Sequence, residues 1–388
     1  MFFLRNPLSG NAMNATNATK IVFLFLLLLE TFGGRSSAFA AASYDLIVWH
    51  PFVGVQEQHF SSWLREFSQR ENIVIRAENA FDLNTALRKK ASTREFPDVV
   101  IGPSDLLNVS DSVPLNTIHD SDFLGRKLIS VKEKRVAVRL FENGTQFLLR
   151  KKGTKVLASR SDLLSALKEG NKLVWANVEP MFLLSFLLKE ERNSEGARRA
   201  FKDFQELMLA SNTPYPCDHK CLWNSIVQKK ADFAVVGDWL FPDLNKSDIG
   251  RDYFLESLPP FLGKCASLSY SAFFPSRGIA DDKRLSNATR LVTWLSSHEI
   301  LGRVQRQFLQ RPSGIPSRIT SWPKWMRSAV ASTKECADVS DRATPEFWAA
   351  SSFALRQLAT QGTSSDDAAD AFSKNIASFS QEKPSFVK

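Results

Sequence analysis

Few of the residues on which chemistry is usually built are grouped in this chain. Its 388 residues include five histidines, four cysteines and seventeen glycines, and these form no Ser-His-Asp set, no metal-spaced cluster and no glycine-rich phosphate loop. Only four tyrosines occur, Tyr44, Tyr215, Tyr253 and Tyr270, which argues against iron held by clustered phenolates. Long apolar runs are scarce too. The run at 21–29 falls far short of the ~20 residues of a membrane-spanning helix, and no second long run follows it. There is no internal repeat, no low-complexity tract and no Pro/Ser-rich linker. Any two domains must therefore be joined by strands that cross between them.

Concentrated charge is missing as well. The net charge is +9 and the isoelectric point near 9.4, a balance that can mark a nucleic-acid or anionic-membrane partner. Here Lys and Arg are interleaved with Asp and Glu. The densest basic groups, at 132–139 and 150–155, do not reach the block length of an interaction tail. The basic excess reads as a solvated surface, and no nucleic-acid partner is expected.

What is present begins with an address. Lys20 precedes the apolar run at 21–29, and Ala38-Phe39-Ala40 supplies small residues at the offset for signal-peptidase cleavage. Residues 1–40 are read as a signal peptide, with Met13 as an alternative start, and no Cys near the cleavage site suggests a lipid anchor. A periplasmic or extracellular chain is expected after removal. Cys217, Cys221, Cys265 and Cys336 would then meet an oxidising compartment. Three complete pairings are possible. Cys217 with Cys221 would close a short local loop and leave Cys265 for Cys336, but the sequence does not choose. Cys217-Asp218-His219-Lys220-Cys221 also invites a zinc reading. Structural zinc takes four ligands and no fourth is evident, so neither metal nor cofactor is expected.

The remaining ~345 residues exceed what one hydrophobic core usually organises, which implies two domains. Their pattern alternates strand and helix. Residues 46–49 form an apolar run, and Phe60, Trp63, Leu64 and Phe67 recur at the spacing of one buried helical face. Residues 73–75 read as the next strand, Leu83 and Leu87 mark a helix, and 97–102 lead into a third strand. This succession implies a parallel sheet flanked by helices. Its ligands would sit outside the carboxyl ends of the strands, at Trp49-His50 and at 102–105. A second block follows, with helices around 163–167, 182–188 and 197–209, strands at 172–175, 231–236 and 268–274, and a helical stripe Ala288, Leu291, Val292, Leu295. Ser296 with Glu299 fits a capping box.

In this order the segments resemble the extracellular solute-binding proteins of ABC importers, family 1, and within them the maltose/maltodextrin-binding type. The likeness is carried by Asp45-Leu46-Ile47-Val48-Trp49-His50, Glu179-Pro180, Gly237-Asp238-Trp239, Gly314-Ile315-Pro316 and Pro345-Glu346-Phe347-Trp348, and by the closing helix after Gly362. The resemblance implies an α/β fold of the periplasmic-binding-protein type II. Each of its two lobes would be a mostly parallel sheet with flanking helices, joined by hinge crossings. Lobe one is placed at 41–141 plus 266–322, and lobe two at 142–265 plus 323–388. It further implies a monomeric binder, not an enzyme, that captures a small solute, most readily a sugar, and delivers it to a membrane permease.

A pyranose has an apolar C–H face and a hydroxyl rim, so a binder needs flat aromatics for the face and carboxylates or amides for the rim. Trp239 and Trp348 are the stacking candidates, with Trp49 and His50 at the end of the first strand. Trp63 and Trp294 lie on helical stripes and are expected in the core. Asp105, Glu142 and Glu179 are the rim candidates, since each ionised carboxylate accepts two or more hydroxyl hydrogen bonds. Glu142 with Glu179 could alternatively form the acid–base pair of a glycoside hydrolase, although nothing fixes them as a pair. Where the resembled proteins often carry a Trp on the first polar loop this chain has Gly102, and where a Tyr follows Glu-Pro it has Met181. Less aromatic surface points to a different or shorter sugar than a long α-glucan.

Overall fold

The computed structural model describes residues 44–80, 83–90, 96–104, 114–131, 134–190, 193–211, 213–332, 336–339, 345–359 and 363–381. The expected signal peptide and Asp105 lie outside these residues. Strand β1 (Leu46–His50) is buried along its whole length, as an apolar run with neighbours on both sides must be. Helix α1 (Gly54–Glu71) follows and buries Phe60, Trp63, Leu64 and Phe67, the expected stripe. The helix ends at Asn72 in the left-handed region, and the Ile73 N–H still donates to the Ser68 carbonyl. Ile73 and Val74 therefore belong to the turn. Strand β2 (Ile75–Asn79) begins two residues later than expected, with Ile75 opposite Leu46.

After α2 (Leu83–Lys90), strand β3 (Val99–Pro103) pairs with the other side of β1. Strand β4 (Leu128–Val131) then turns back into the long β5 (Lys134–Asn143). At Gly144 and Thr145 the chain leaves this sheet and becomes β6 (Gln146–Lys151) of a second one. That sheet is completed by β7 (Leu173–Val174), β8 (Phe233–Gly237) and β9 (Tyr253–Ser257) in the order β7-β8-β6-β9. Between these strands run α3 (Arg160–Lys168), α4 (Pro180–Leu187), α5 (Ser194–Ala210), α6 (His219–Val227) and α7 (Phe241–Lys246).

The chain returns through residues 258–265 to β10 (Ala266–Phe273), which lies between β5 and β3. Helices α8 (Asp282–Leu295) and α9 (His298–Arg303) and strand β11 (Arg311–Pro312) complete the first lobe. A last passage carries α10 (Arg327–Ser332) and β12 (Ala337–Asp338), which pairs with β10, to α11 (Pro345–Leu358) and α12 (Ser365–Gln381) on the second lobe. The main path of the first sheet is β11-β5-β10-β3-β1-β2.

Both sheets are mixed rather than mostly parallel. Pairing is parallel along β2-β1-β3, at β10-β12 and at β7-β8, and antiparallel elsewhere. The strands that leave for, or return from, the other lobe supply most of the antiparallel pairs.

Each sheet has its own core. The first gathers Phe52, Phe60, Trp63, Phe141 and Phe308, with Trp63 stacked on Phe308 at 4.7 Å between centroids. The second stacks Trp175 on Phe204 at 4.9 Å. Trp63 and Trp294 are core residues, as their stripes require. Trp322, expected at the end of lobe one, packs instead in the second core with Leu309. Ser296 ends α8, and the cap of α9 is its neighbour Ser297, whose hydroxyl accepts the Ile300 N–H. Glu299 turns to Arg303 instead of closing a capping box. Two disulfides form, Cys217–Cys221 and Cys265–Cys336. No helix among the described residues is long and apolar enough to cross a membrane.

Candidate functional site

Trp239 reaches the surface because β8 stops abruptly. Gly237 closes the buried strand, and a 3-10 turn at Asp238–Leu240 carries the next residues out of the sheet. The indole then folds back across its own backbone. A Cβ at Gly237 would stand 1.9 Å from Trp239 Cζ3, so only glycine admits this arrangement. The ring is half-buried and meets the edges of Phe182 (6.5 Å) and His219 (5.6 Å).

Glu179 stands at the other side of this aromatic corner. It occupies the N-cap of α4 with Pro180 at the first helical position, yet its side chain makes no capping bond. Its Oε1 lies 3.5 Å from His219 Nε2, and both side chains are 29% exposed. His219 opens α6 and is held from several directions. Asp218 caps the helix by accepting the Cys221 N–H (2.8 Å), and the Cys217–Cys221 bond closes the loop around it. The buried Asn177 accepts the Cys217 N–H and donates to the Pro214 carbonyl. Tyr215 is exposed on this segment, within electrostatic reach of Arg356 on α11. Trp348, half-buried on α11 with its ring against Phe347, belongs to a helix that packs on α4. Glu179, His219 and Trp239 thus form one cluster, with Trp348 on the adjoining helix.

The first lobe contributes less than the sequence suggested. Trp49 is 1% exposed and packs towards Phe96. His50 is 2% exposed between Phe52 and Phe60, with no hydrogen-bond partner on Nδ1 among the described residues. Burial pulls the imidazole down to about 4 and keeps it neutral. Both residues are core, because Phe96 closes over Trp49 on one face of the sheet and Phe52 with Phe60 of α1 closes over His50 on the other. Asp105 lies outside the described residues. Glu142 sits near the end of β5, 3.5 Å from Arg139, and lines a small cavity at the crossing with Thr145, Asp238, Arg311 and Trp322. The two carboxylates that a glycoside hydrolase would pair therefore occupy different settings, Glu142 among arginines and Glu179 beside His219. Cys217 and Cys221 are spent in their disulfide, and no group of three or more His, Cys, Asp or Glu that could hold a metal exists among the described residues.

No protein-family model matches the chain, and no curated protein matches it by sequence. Solved structures do match it. The maltose/maltodextrin-binding domain MalE from Bdellovibrio bacteriovorus, bound to maltotriose, superposes with a TM-score of 0.76 at 15% identity, over 87% of this chain and 100% of that one. The Thermus thermophilus maltotriose binding protein, bound with maltotriose, gives 0.72 at 10% identity over 86% and 100%. The GacH receptor of Streptomyces glaucescens GLA.O, solved unliganded and with acarbose, gives 0.71 at 16% identity over 87% and 98%. The fold is that of the two-lobed periplasmic binding proteins.

In this two-lobed fold the candidate cluster is wired to the interlobe crossings. Gln146, at the start of β6, donates to the Met181 carbonyl (2.7 Å) and accepts from the Ser185 hydroxyl (2.5 Å). The Ser185 carbonyl in turn accepts the Lys264 N–H of the return crossing. Gly144, at φ +89°, leaves room for Met181, whose Cε would stand 3.0 Å from a Cβ there. Helix α4, which begins at Glu179, therefore rests on both crossings. A third link runs between lobes directly: Val53 gives α1 no side-chain cap, and the Val55 N–H points to Asp243 of α7 at 3.4 Å.

Asp238 is the buried polar centre of the first crossing. Its Oδ1 accepts the Gly144 N–H (2.8 Å), its own N–H donates to the Thr145 carbonyl, and its carbonyl accepts from Gln310. Burial pushes its carboxyl up to about 7, against the lowering effect of Gly144, Thr145 and Arg311. The folded protein thus holds a proton that the unfolded chain has released. The stabilisation from Asp238 is complete below the ordinary carboxylate value of 3.8 and is lost as pH rises through about 7. Urea melts of native protein and Asp238→Asn between pH 4.5 and 8 should show the native chain losing stability relative to the variant as pH rises. A constant difference across that range would contradict the assignment.

Proposed function

We propose that this protein captures an oligosaccharide between its lobes and presents it to the membrane permease of an ABC importer. The observation that carries the reading is the corner of the second lobe where Gly237 lets an indole fold out beside the Glu179–His219 pair. It offers a flat apolar surface and hydrogen-bonding groups side by side, which is what a sugar ring requires. The fold supports it, since three of the matched structures are binding proteins or receptors solved with maltotriose or acarbose. Trp239, Trp348 and Glu179 are the proposed contacts, with Glu142 at the crossing and Asp105 as a rim carboxylate from the first lobe. The lobes, divided near 141/142 and 265/266 and again ahead of Trp322, which packs in the second core, close about Gly144 and the return passage. The protein acts as a monomer in the periplasm or outside the cell and does not cut its ligand.

The sugar is a short one. Gly102 lies within β3 opposite Ser271, and Met181 is buried against the crossing, so neither position adds an aromatic face. A thermal-shift screen over maltose, maltotriose, longer glucans, polyamines and anions tests the solute class. A ligand at ~100 times its dissociation constant adds about 2.7 kcal/mol, and the bound saccharide should be recovered intact. Stabilisation by a polyamine or an anion alone would overturn the sugar reading.

Trp239→Ala and Trp348→Ala should each weaken that sugar by about 1–3 kcal/mol, roughly 5- to 150-fold. Both indoles also pack against the second core, so each variant needs a denaturant melt beside its titration. A lowered melt with native affinity would take that residue out of the site.

A further inference from the structure

We infer that the disulfide-closed loop at Cys217–Cys221 is part of the solute site, and that His219, presented by it, is a recognition residue that meets a sugar hydroxyl beside Glu179. The inference rests on the sugar-binding reading and adds a residue and a positioning device to it. The 3.5 Å between Glu179 Oε1 and His219 Nε2 is at the outer limit of a hydrogen bond, and the two side chains share the same partial exposure. They stand side by side with little holding them to each other. A hydroxyl is both donor and acceptor. With the imidazole proton on Nε2, one ligand hydroxyl can accept from His219 and donate to Glu179, replacing one stretched contact with two good ones. Trp239, 5.6 Å from the imidazole, supplies the neighbouring flat surface.

The loop is held far more firmly than a connecting segment requires. The disulfide spans a sequence separation of only four, against 71 for Cys265–Cys336. Stabilisation through loop closure grows with the length closed, so this short bridge contributes less to global stability than the long one. It also acts locally. Together with the Asp218 cap and the Asn177 clamp it fixes where α6 begins, and His219 is the first residue of that helix. Ordering a site before its ligand arrives lowers the entropy lost on binding.

Maltotriose titrated calorimetrically into four proteins tests this: native, His219→Ala, His219→Gln and the double variant Cys217→Ser/Cys221→Ser, each with a denaturant melt. His219→Ala should weaken binding at least about tenfold with a near-native melt. His219→Gln, whose amide keeps a donor and an acceptor, should recover most of that loss. The double serine variant should lose affinity towards the His219→Ala level while remaining folded. Native affinity in His219→Ala overturns the inference and leaves the sugar reading standing. Native affinity in the folded double serine variant overturns the positioning role of the loop. No saturable heat from native protein with maltotriose or any other saccharide removes the sugar reading, and this inference with it.

Discussion

Asp98→Ala is expected to lower the unfolding free energy by about 3–5 kcal/mol, the range for removing one partner of a buried ion pair. The Asp98 side chain is fully buried. One oxygen accepts the Ile47 N–H of β1 at 2.7 Å, and the carboxylate receives Arg284 of α8 in two parallel bonds, Nε to Oδ1 at 2.8 Å and Nη2 to Oδ2 at 2.5 Å. One carboxylate therefore ties together β1, the start of β3 and α8. Burial pushes it up despite the guanidinium beside it, while Arg284 is held above its ordinary value by the same contact. Truncation leaves a half-buried guanidinium and a buried strand N–H without their acceptor, and that desolvation is the larger part of the loss. Arg284→Ala should also destabilise, and the double variant should lose less than the sum of the two, since the same bonds would be counted twice. Urea denaturation reads all three. A loss under about 1 kcal/mol for Asp98→Ala would mean that water reaches the pair.

Removing the second disulfide should cost a comparable amount. Cys265 directly precedes β10 and Cys336 directly precedes β12, so the bond joins the return crossing to the last passage between lobes. Closing 71 residues removes about 4 kcal/mol of chain entropy from the unfolded state in the loop-closure description. Cys265→Ser/Cys336→Ser should lose about 2–5 kcal/mol. The short bridge at Cys217–Cys221 should lose about half as much in the same assay, about 2 kcal/mol by the same relation, because its shorter loop is closed at lower entropic cost in the unfolded chain. Equal losses from the two pairs would contradict this division of roles.

The parts of the fold written in local pattern were legible. The apolar run of β1 and the i, i+3, i+4, i+7 stripe of α1 are one-dimensional signals, and both elements lie where those signals put them. The parts that depend on distant partners were not. Trp49 and His50 read as a strand end facing a ligand, but whether a strand end is covered depends on which side chains close over its two faces. Those side chains are Phe96 for Trp49, and Phe52 with Phe60 for His50. Mixed sheets arise because β5 and β10 serve as passages between lobes, a feature of long-range topology that no periodicity reports. The displacement of the cap from Ser296 to Ser297 turns on a single residue of backbone geometry.

The candidate site divides the same way. Gly237 before Trp239 is a local arrangement, strand then turn then indole, and the sequence shows it. The pairing of Glu179 with His219 joins residues forty apart, and the Cys-Asp-His-Lys-Cys stretch invited a metal reading because its spacing says nothing about Glu179. Gln146 gave no signal, and Asp238 stood only as the middle residue of Gly237-Asp238-Trp239, with nothing to mark it as a buried centre. Their importance comes from burial at the crossing, which exists only once both lobes have formed.

Small-angle scattering of the native protein, with and without maltotriose at an occupancy verified by calorimetry, tests capture between the lobes most directly. Hinge closure on the solute predicts one saturable site and a smaller radius of gyration in the complex. A verified complex with an unaltered radius would contradict capture by closure, and a cooperatively folded protein giving no saturable heat with any oligosaccharide would contradict the proposed function itself.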